Sequence, residues 1–275
     1  MRIVCEICPH KCRIAPGKVG ICGTRTNEEG AIKSMNYGVL TAIALDPIEK
    51  KPLYHFFPGT KILSVGSWGC NLKCPFCQNH RISMAKGALA GSSYVSAEEL
   101  VKKALMLRPA KNIGIAHTYN EPFISYEYVM DVSVLAKKEG LKNILVTNGY
   151  VCKEPLEEIL PLIDAMNVDL KAFNDEFYRN IGGDLESVKR TIEVSYSKCH
   201  VEVTTLIVPG ENDDKKEIEK LVKWLASLDK NIVYHISAFF PNYKYTDKKA
   251  TSFAKIYELV DLAKKHLNHV YPGNC

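Results

Sequence analysis

From Lys61 onward the sequence alternates short apolar runs with helix-like stretches six times, and this alternation limits the possible folds more than any other feature. The runs are KILSVG (61–66), NIGIAH (112–117), NILVTN (143–148), AMNVDLK (165–171), HVEVTTLIV (200–208) and NIVYHISAF (231–239). Each is short and rich in Val, Ile and Leu, as strands buried on both faces of a parallel sheet are. Helical patterns lie between them. Ser96 with Glu99 forms a capping box ahead of a helix reaching about Leu107. Pro122 opens a second helix that runs towards Gly140. Asn212 is placed to cap a third, with Ile218, Leu221, Val222, Leu225 and Leu228 on one face. Six strand–helix repeats predict a parallel sheet with right-handed crossovers. Six units fall short of a closed eight-stranded barrel. The expected fold is therefore α/β, an open partial (β/α)6 barrel over residues 61–275, with ligands at the carboxyl ends of its strands.

Residues 1–60 read differently. Short β-like stretches, AIKSM and VLTAIAL, follow a Cys-, Pro- and Gly-rich segment, and no helical period is sustained. So few apolar residues cannot build a core alone, which predicts a small N-terminal module dependent on a bound metal. The balance of 36 basic against 31 acidic residues, +5 overall, is too mild to argue for nucleic acid. No apolar run approaches the roughly 18 residues of a membrane span, and the start, MRIVCEIC, lacks the apolar core of a signal peptide. A cytoplasmic location is expected, where thiols stay reduced. Disulfides then explain the ten cysteines poorly. Four fall at 5, 8, 12 and 22, three at 70, 74 and 77, and three stand alone at 152, 199 and 275.

The run from Gly69 to Asn79 follows the first strand directly and carries Cys70, Cys74 and Cys77 as C-x3-C-x2-C. Three thiolates on one loop can converge on a soft metal centre. A tetrahedral zinc would want a fourth ligand, for which His80 is three residues away. An iron–sulfur cube held by three cysteines leaves one iron open to an outside ligand. In the N-terminal module, Cys5-x2-Cys8-x3-Cys12-x9-Cys22 can form a closed four-thiolate site. Zinc and a second [4Fe-4S] cluster both fit that spacing.

C-x3-C-x2-C, with an aromatic residue just before the last cysteine, resembles the signature of the radical S-adenosylmethionine (SAM) superfamily, whose usual core is also a six-unit partial barrel. The resemblance implies a [4Fe-4S] cluster on Cys70, Cys74 and Cys77, with Phe76 and Asn79 contacting the cofactor. It implies that the cluster, with SAM on its open iron, cleaves SAM to methionine and a 5′-deoxyadenosyl radical that abstracts hydrogen from a substrate. His117-Thr118-Tyr119-Asn120-Glu121-Pro122 resembles the segment holding the SAM ammonium, which points to Asn120 and Glu121. Thr147-Asn148-Gly149 resembles the Thr-Asn-Gly of glycyl-radical activating enzymes, which points to Thr147. Those enzymes often place an Asp before it, associated with a monovalent cation; here the residue is Val146. Asp169-Leu170-Lys171 resembles their SAM-contacting Asp-x-Lys, and His235 stands near a histidine they set against the nucleoside. A strand-end ion pair and a core histidine are the plainer readings of these residues.

The strings Cys8-Pro9-His10, Gly20-Ile21-Cys22-Gly23-Thr24-Arg25 and Asp46-Pro47-Ile48-Glu49-Lys50-Lys51-Pro52-Leu53-Tyr54-His55 resemble one subgroup closely. It is the radical SAM component of the AmmeMemoRadiSam system, homologues of pyruvate formate-lyase activating enzyme. Many relatives continue with a two-cysteine tail beyond the position of Cys275, so that metal site is expected to be missing. The expected activity is an oxidoreductase reaction on a substrate that the sequence does not name. That substrate is a glycyl residue of a partner enzyme in the activating-enzyme version; a small molecule or a modified macromolecule is the alternative. A ferredoxin or flavodoxin would donate the electron. A non-catalytic iron–sulfur or zinc electron-transfer protein is the reading from a different class.

Overall fold

The computed structural model describes residues 1–275. All six expected strands form: β2 (Lys61–Gly66), β3 (Asn112–His117), β4 (Lys142–Thr147), β5 (Ala165–Asp169), β6 (His200–Ile207) and β7 (Val233–Ala238). Two more extend the sheet. Strand β1 (Ala42–Pro47), the second half of VLTAIAL, pairs antiparallel with β2, and β8 (His269–Gly273) pairs parallel with β7. Pro272 and Gly273 obscure β8 as a strand in the sequence, and an edge position is where a sheet tolerates them. The strands lie side by side in chain order from β8 to β1, with the two ends unpaired. The sheet is an open barrel.

Helices cover its outer face, as both-sided burial of the strands requires. They include α1 (Ala97–Met106), α2 (Tyr126–Lys138), α3 (Lys153–Ile159), α4 (Leu185–Tyr196), α5 (Lys215–Leu228) and α6 (Phe253–Ala263), with a short helix at Asp175–Asn180 before α4. Both halves of the Ser96–Glu99 capping box are made, at 3.2 and 2.9 Å. Pro122 opens a 3-10 turn that runs into α2. Asn212 does not cap α5. Asp214 does, its Oδ1 accepting from the Glu217 N–H at 3.0 Å. Asn212 is buried two residues earlier, where its Oδ1 accepts from the Val208 N–H and its amide donates to the carbonyls of Lys171 and Leu206. An Asx side chain that closes its own loop has no oxygen left for a helix.

Residues 1–40 form small antiparallel pairs, Ile3–Val4 with Arg13–Ile14 and Arg25–Glu28 with Ala31–Ser34. Asn27, fully buried, ties them together by donating to the carbonyls of Met1 and Ile14.

Because side chains alternate along a strand, the barrel interior is layered. Asp169, Thr204, Leu206 and Ser237 line a cavity at the carboxyl ends. Two residues lower stand Asn167, Glu202 and His235. The Glu202 carboxylate accepts from the N–H groups of Tyr54 (2.9 Å) and His55 (2.8 Å), and meets Nε2 of His200 (2.9 Å) and of His235 (2.6 Å). The segment Pro52–His55 thus plugs the barrel floor, with Asn167 donating to the Pro52 carbonyl. His235 belongs to this plug. It is buried, packs edge-on against Tyr54, stacks on Tyr271, and does not line the cavity.

Burial alone would raise the Glu202 carboxyl, but the donors from His200, His235, Tyr54 and His55 outweigh it and hold the group down at about 2. A carboxyl depressed on folding adds stability above its ordinary range and loses it as pH falls towards 2, here roughly 3 kcal/mol. Glu202→Gln is expected to lower Tm at pH 7 by about 5–10 °C. The gap between wild type and variant, measured by calorimetry at matched pH, should narrow below about pH 4.5.

Candidate active site at the strand ends

A cavity of about 460 Å³ opens at the carboxyl ends of the strands, and Cys70, Cys74 and Cys77 all line it. Their loop is held by hydrogen bonds. The Cys70 N–H donates to the Cys22 carbonyl (3.2 Å), the Lys73 N–H to the Ile181 carbonyl (2.8 Å), and the Pro75 carbonyl accepts from the Lys244 N–H (3.0 Å). Gly69 begins the loop at φ +85°, with the site of a Cβ 2.7 Å from the Cys22 carbonyl oxygen and 2.6 Å from Thr24 Cγ2. No other residue has both the backbone freedom and the clearance.

Asn148, from the Thr-Asn-Gly after β4, extends its amide to Asn71 Oδ1 (2.9 Å) and to Cys70 Sγ (3.5 Å). This contact has no separate signal in the sequence beyond the motif containing Asn148. Glu121 is buried, and its carboxylate accepts from Thr147 Oγ1 (2.8 Å), the Asn148 N–H (2.8 Å) and the Phe123 N–H (3.1 Å). Burial pushes its pKa up to about 7, against the pull of those three donors. Asn120 is equally engaged: Oδ1 accepts from the Ser67 N–H, and the amide donates to the carbonyls of Trp68 and Gly69. Asn120, Glu121 and Thr147 thus knit the loops after β2, β3 and β4 while lining the cavity.

Across the cavity, Lys171 Nζ and Asp169 Oδ2 form an ion pair at 2.9 Å. Burial opposes the Lys171 charge, but Asp169 and then Cys74 favour it, and the ammonium is held above its ordinary range. Burial raises the Cys74 thiol to about 11 and the Cys70 thiol further. Phe76 is buried beside Phe177 and Tyr245, and Asn79 donates to the Tyr119 carbonyl at 2.7 Å. Both line the cavity. His80 does not; it stacks on Tyr243 at 4.6 Å, and its Nδ1 meets the Cys77 carbonyl at 3.3 Å. At the rim, Asp46 accepts from Lys51 Nζ (2.9 Å) and from the Tyr119 hydroxyl (2.7 Å), a pairing across two separate motif strings that neither string shows by itself. His235 is the one expected cofactor contact that lies outside this lining.

The Cys70 and Cys74 thiols, which burial holds protonated beside the Lys171 ammonium, suit a metal centre, whose charge drives off the protons that burial retains. No group of side chains is closed to ligand distance on one point, so donor chemistry and space carry the fit. The cavity has room for an iron–sulfur cube and a nucleoside together. The four N-terminal thiols line a separate space of only about 10 Å³.

Residues 67–225 match the radical SAM superfamily. An uncharacterized protein of Methanocaldococcus jannaschii is 38% identical over 277 residues, 99% of this chain and 81% of that protein. The pyruvate formate-lyase 1-activating enzyme of Escherichia coli is 30% identical over 173 residues, 60% of this chain and 68% of the enzyme. Among solved structures, a domain of a pyruvate-formate lyase-activating enzyme from Bacteroides vulgatus superposes with TM-score 0.52 at 17% identity, over 58% of this chain and 99% of that one. Streptococcus suis SuiB bound to its precursor peptide SuiA reaches 0.61 at 14% identity, over 76% and 47%; at such identities the likeness is one of fold. The chain belongs to the radical SAM superfamily. Within it the chain is activating-enzyme-like, an enzyme for which membership implies a [4Fe-4S] cluster and SAM. No helix is long and apolar enough to cross a membrane.

Gly69→Ala would drive a methyl group into the Cys22 carbonyl at a backbone angle that already strains any side chain. The cost is expected to be about 1–3 kcal/mol. The variant should melt lower and bind less than half the wild-type iron after anaerobic reconstitution, as read by metal analysis.

Proposed function

We propose that this chain cleaves SAM reductively and that the hydrogen it removes comes from a glycyl residue of a partner protein. What supports the glycyl target is the 30% identity to an enzyme named for activating pyruvate formate-lyase. The observation that carries the chemistry is one cavity lined by three thiols of a single loop together with Glu121, Asp169 and Lys171.

Cys70, Cys74 and Cys77 would hold the cluster. When bound, it supplies the electron that splits SAM and yields a 5′-deoxyadenosyl radical, with a ferredoxin- or flavodoxin-type protein as the donor. The chain's own groups bind and orient. Asp169 and Lys171 offer one carboxylate and one ammonium to the two charged ends of an amino acid. Glu121, poised near neutrality, ionises when a cationic ligand approaches and otherwise holds the loop donors in register. Leu72, Phe76 and Leu206 give the cavity an apolar wall that limits water around a reactive species. Val146 lines the cavity without a charge, so a cation held by a carboxylate at that position is not part of this reading.

With reductant and SAM, the reconstituted enzyme should form methionine and 5′-deoxyadenosine, and Cys74→Ala should lower that rate by at least about 100-fold. A Cys74→Ala variant that cleaves SAM at the wild-type rate would remove that residue from the ligand set. A reconstituted wild type that binds its cluster and never cleaves SAM would leave an electron-transfer protein instead. Glycine-deuterated partner protein should pass label into 5′-deoxyadenosine. Label arriving only from a deuterated small molecule would move the target there.

A further inference from the structure

We infer that Cys5, Cys8, Cys12 and Cys22 hold one tetrahedral zinc ion, not a second iron–sulfur cluster, and that this ion braces the loop carrying Cys70. The four thiols belong to two tight turns. The Cys5 N–H donates to the Cys12 carbonyl (2.9 Å), the Lys11 N–H to the Cys8 carbonyl (3.0 Å), and the Gly23 N–H to the Gly20 carbonyl (3.0 Å). All four line one cavity of about 10 Å³, walled by Ile7, Ile14 and Ile124.

Space chooses the metal where spacing does not. A cavity of this size admits about one water-sized body, and a single zinc ion fits such a space once the four sulfurs, not closed onto one point here, draw in to about 2.3 Å. A cube of four irons and four sulfides does not, and the strand-end cavity is far larger. The donor set agrees. His10 also borders the cavity, but its Nε2 is engaged with the Asn71 carbonyl at 2.8 Å, which leaves four sulfurs. On loading, the four thiols release four protons and the zinc tetrathiolate carries a net charge of 2−. Arg25 lines the same cavity with its side chain 6% exposed. Its Nη atoms are paired with Glu127, and its Nε–H has no partner. A buried donor left free beside four sulfurs is what a thiolate shell recruits.

The brace follows from the contacts. The Cys22 carbonyl receives the Cys70 N–H, His10 bonds the Asn71 carbonyl, and the Ile7 carbonyl receives the Cys152 N–H after β4. Fixing the sulfurs of Cys8 and Cys22 fixes the backbone on which the loop after β2 docks. None of this depends on SAM cleavage.

The test is metal analysis of the full chain, purified anaerobically and reconstituted with iron and sulfide. About one zinc and about four irons per chain are expected. In the Cys70→Ala/Cys74→Ala/Cys77→Ala variant, zinc should stay near one while iron falls towards zero. About eight irons in wild type, iron near four in the triple variant, or zinc below about a tenth per chain would overturn the assignment. Grown with cobalt, the triple variant should show thiolate-to-cobalt charge-transfer absorption, and its absence would count against a tetrathiolate site. Cys22→Ser, lacking zinc, should load at least about threefold less iron than wild type at the strand-end site. Equal loading would overturn the brace.

Discussion

Asn71 stands where three parts of the chain meet, and the reactive end of the barrel depends on the bonds it makes. It is fully buried. Its amide donates to the Tyr150 carbonyl (2.7 Å), its Oδ1 accepts from Asn148 (2.9 Å), and its carbonyl meets His10 Nε2 (2.8 Å). Leu72 and Phe76 anchor the thiol loop in the core, but its thiolates repel one another once ionised. Hydrogen bonds to neighbouring segments therefore supply its shape. The two side-chain bonds of Asn71 are buried, so a lost partner there costs about 1–3 kcal/mol where a surface contact would cost almost nothing.

Below the loop, the barrel interior separates two duties by height. The upper layer keeps its polar groups facing the cavity, where Asp169, Thr204 and Ser237 remain available to a ligand. The lower layer satisfies its groups internally, with four donors converging on Glu202. A carboxylate at this depth is tolerated only because it is fully bonded. The plug that bonds it, Pro52–His55, comes from the connection between β1 and β2. The antiparallel strand that starts the sheet is thereby tied to the floor of the barrel. It also belongs to the first sixty residues, so the cysteine-rich segment and the barrel share a strand.

The six parallel strands are legible in the sequence because burial on both faces leaves continuous apolar runs, and periodicity is what a sequence displays best. The thiol loop is legible for a different reason: metal ligands cluster at short spacing. Strand β8 is hidden by Pro272 and Gly273, and Asn212 imitates a helix cap because the loop-closing and cap-forming uses of an Asx side chain look alike in one dimension. His235 shows the limit most clearly. Its distance from the cavity is set by a two-residue step along β7, and its partner Glu202 lies 33 positions earlier. The same is true of Asp46 with Tyr119 and Arg25 with Glu127. Such pairs exist only once the fold has brought distant segments together.

The N-terminal segment touches three of the segments that border the thiols and the helix behind them. It meets the loop after β2 through Cys22 and His10, and the loop after β4 through Ile7. It meets the Pro122 turn through the Ser34 hydroxyl on the Ile124 carbonyl, and α2 through Arg25 on Glu127. Ile7 and Ile14 join the main core, and the remaining contacts are separate hydrogen bonds. Four sulfurs drawn onto one ion would turn those separate contacts into a single frame, because two turns and a hairpin could then move only together. The two cysteine sets thus differ in enclosure more than in chemistry. A sealed tetrahedral site would give stiffness, whereas the open cavity beside it leaves room for a ligand.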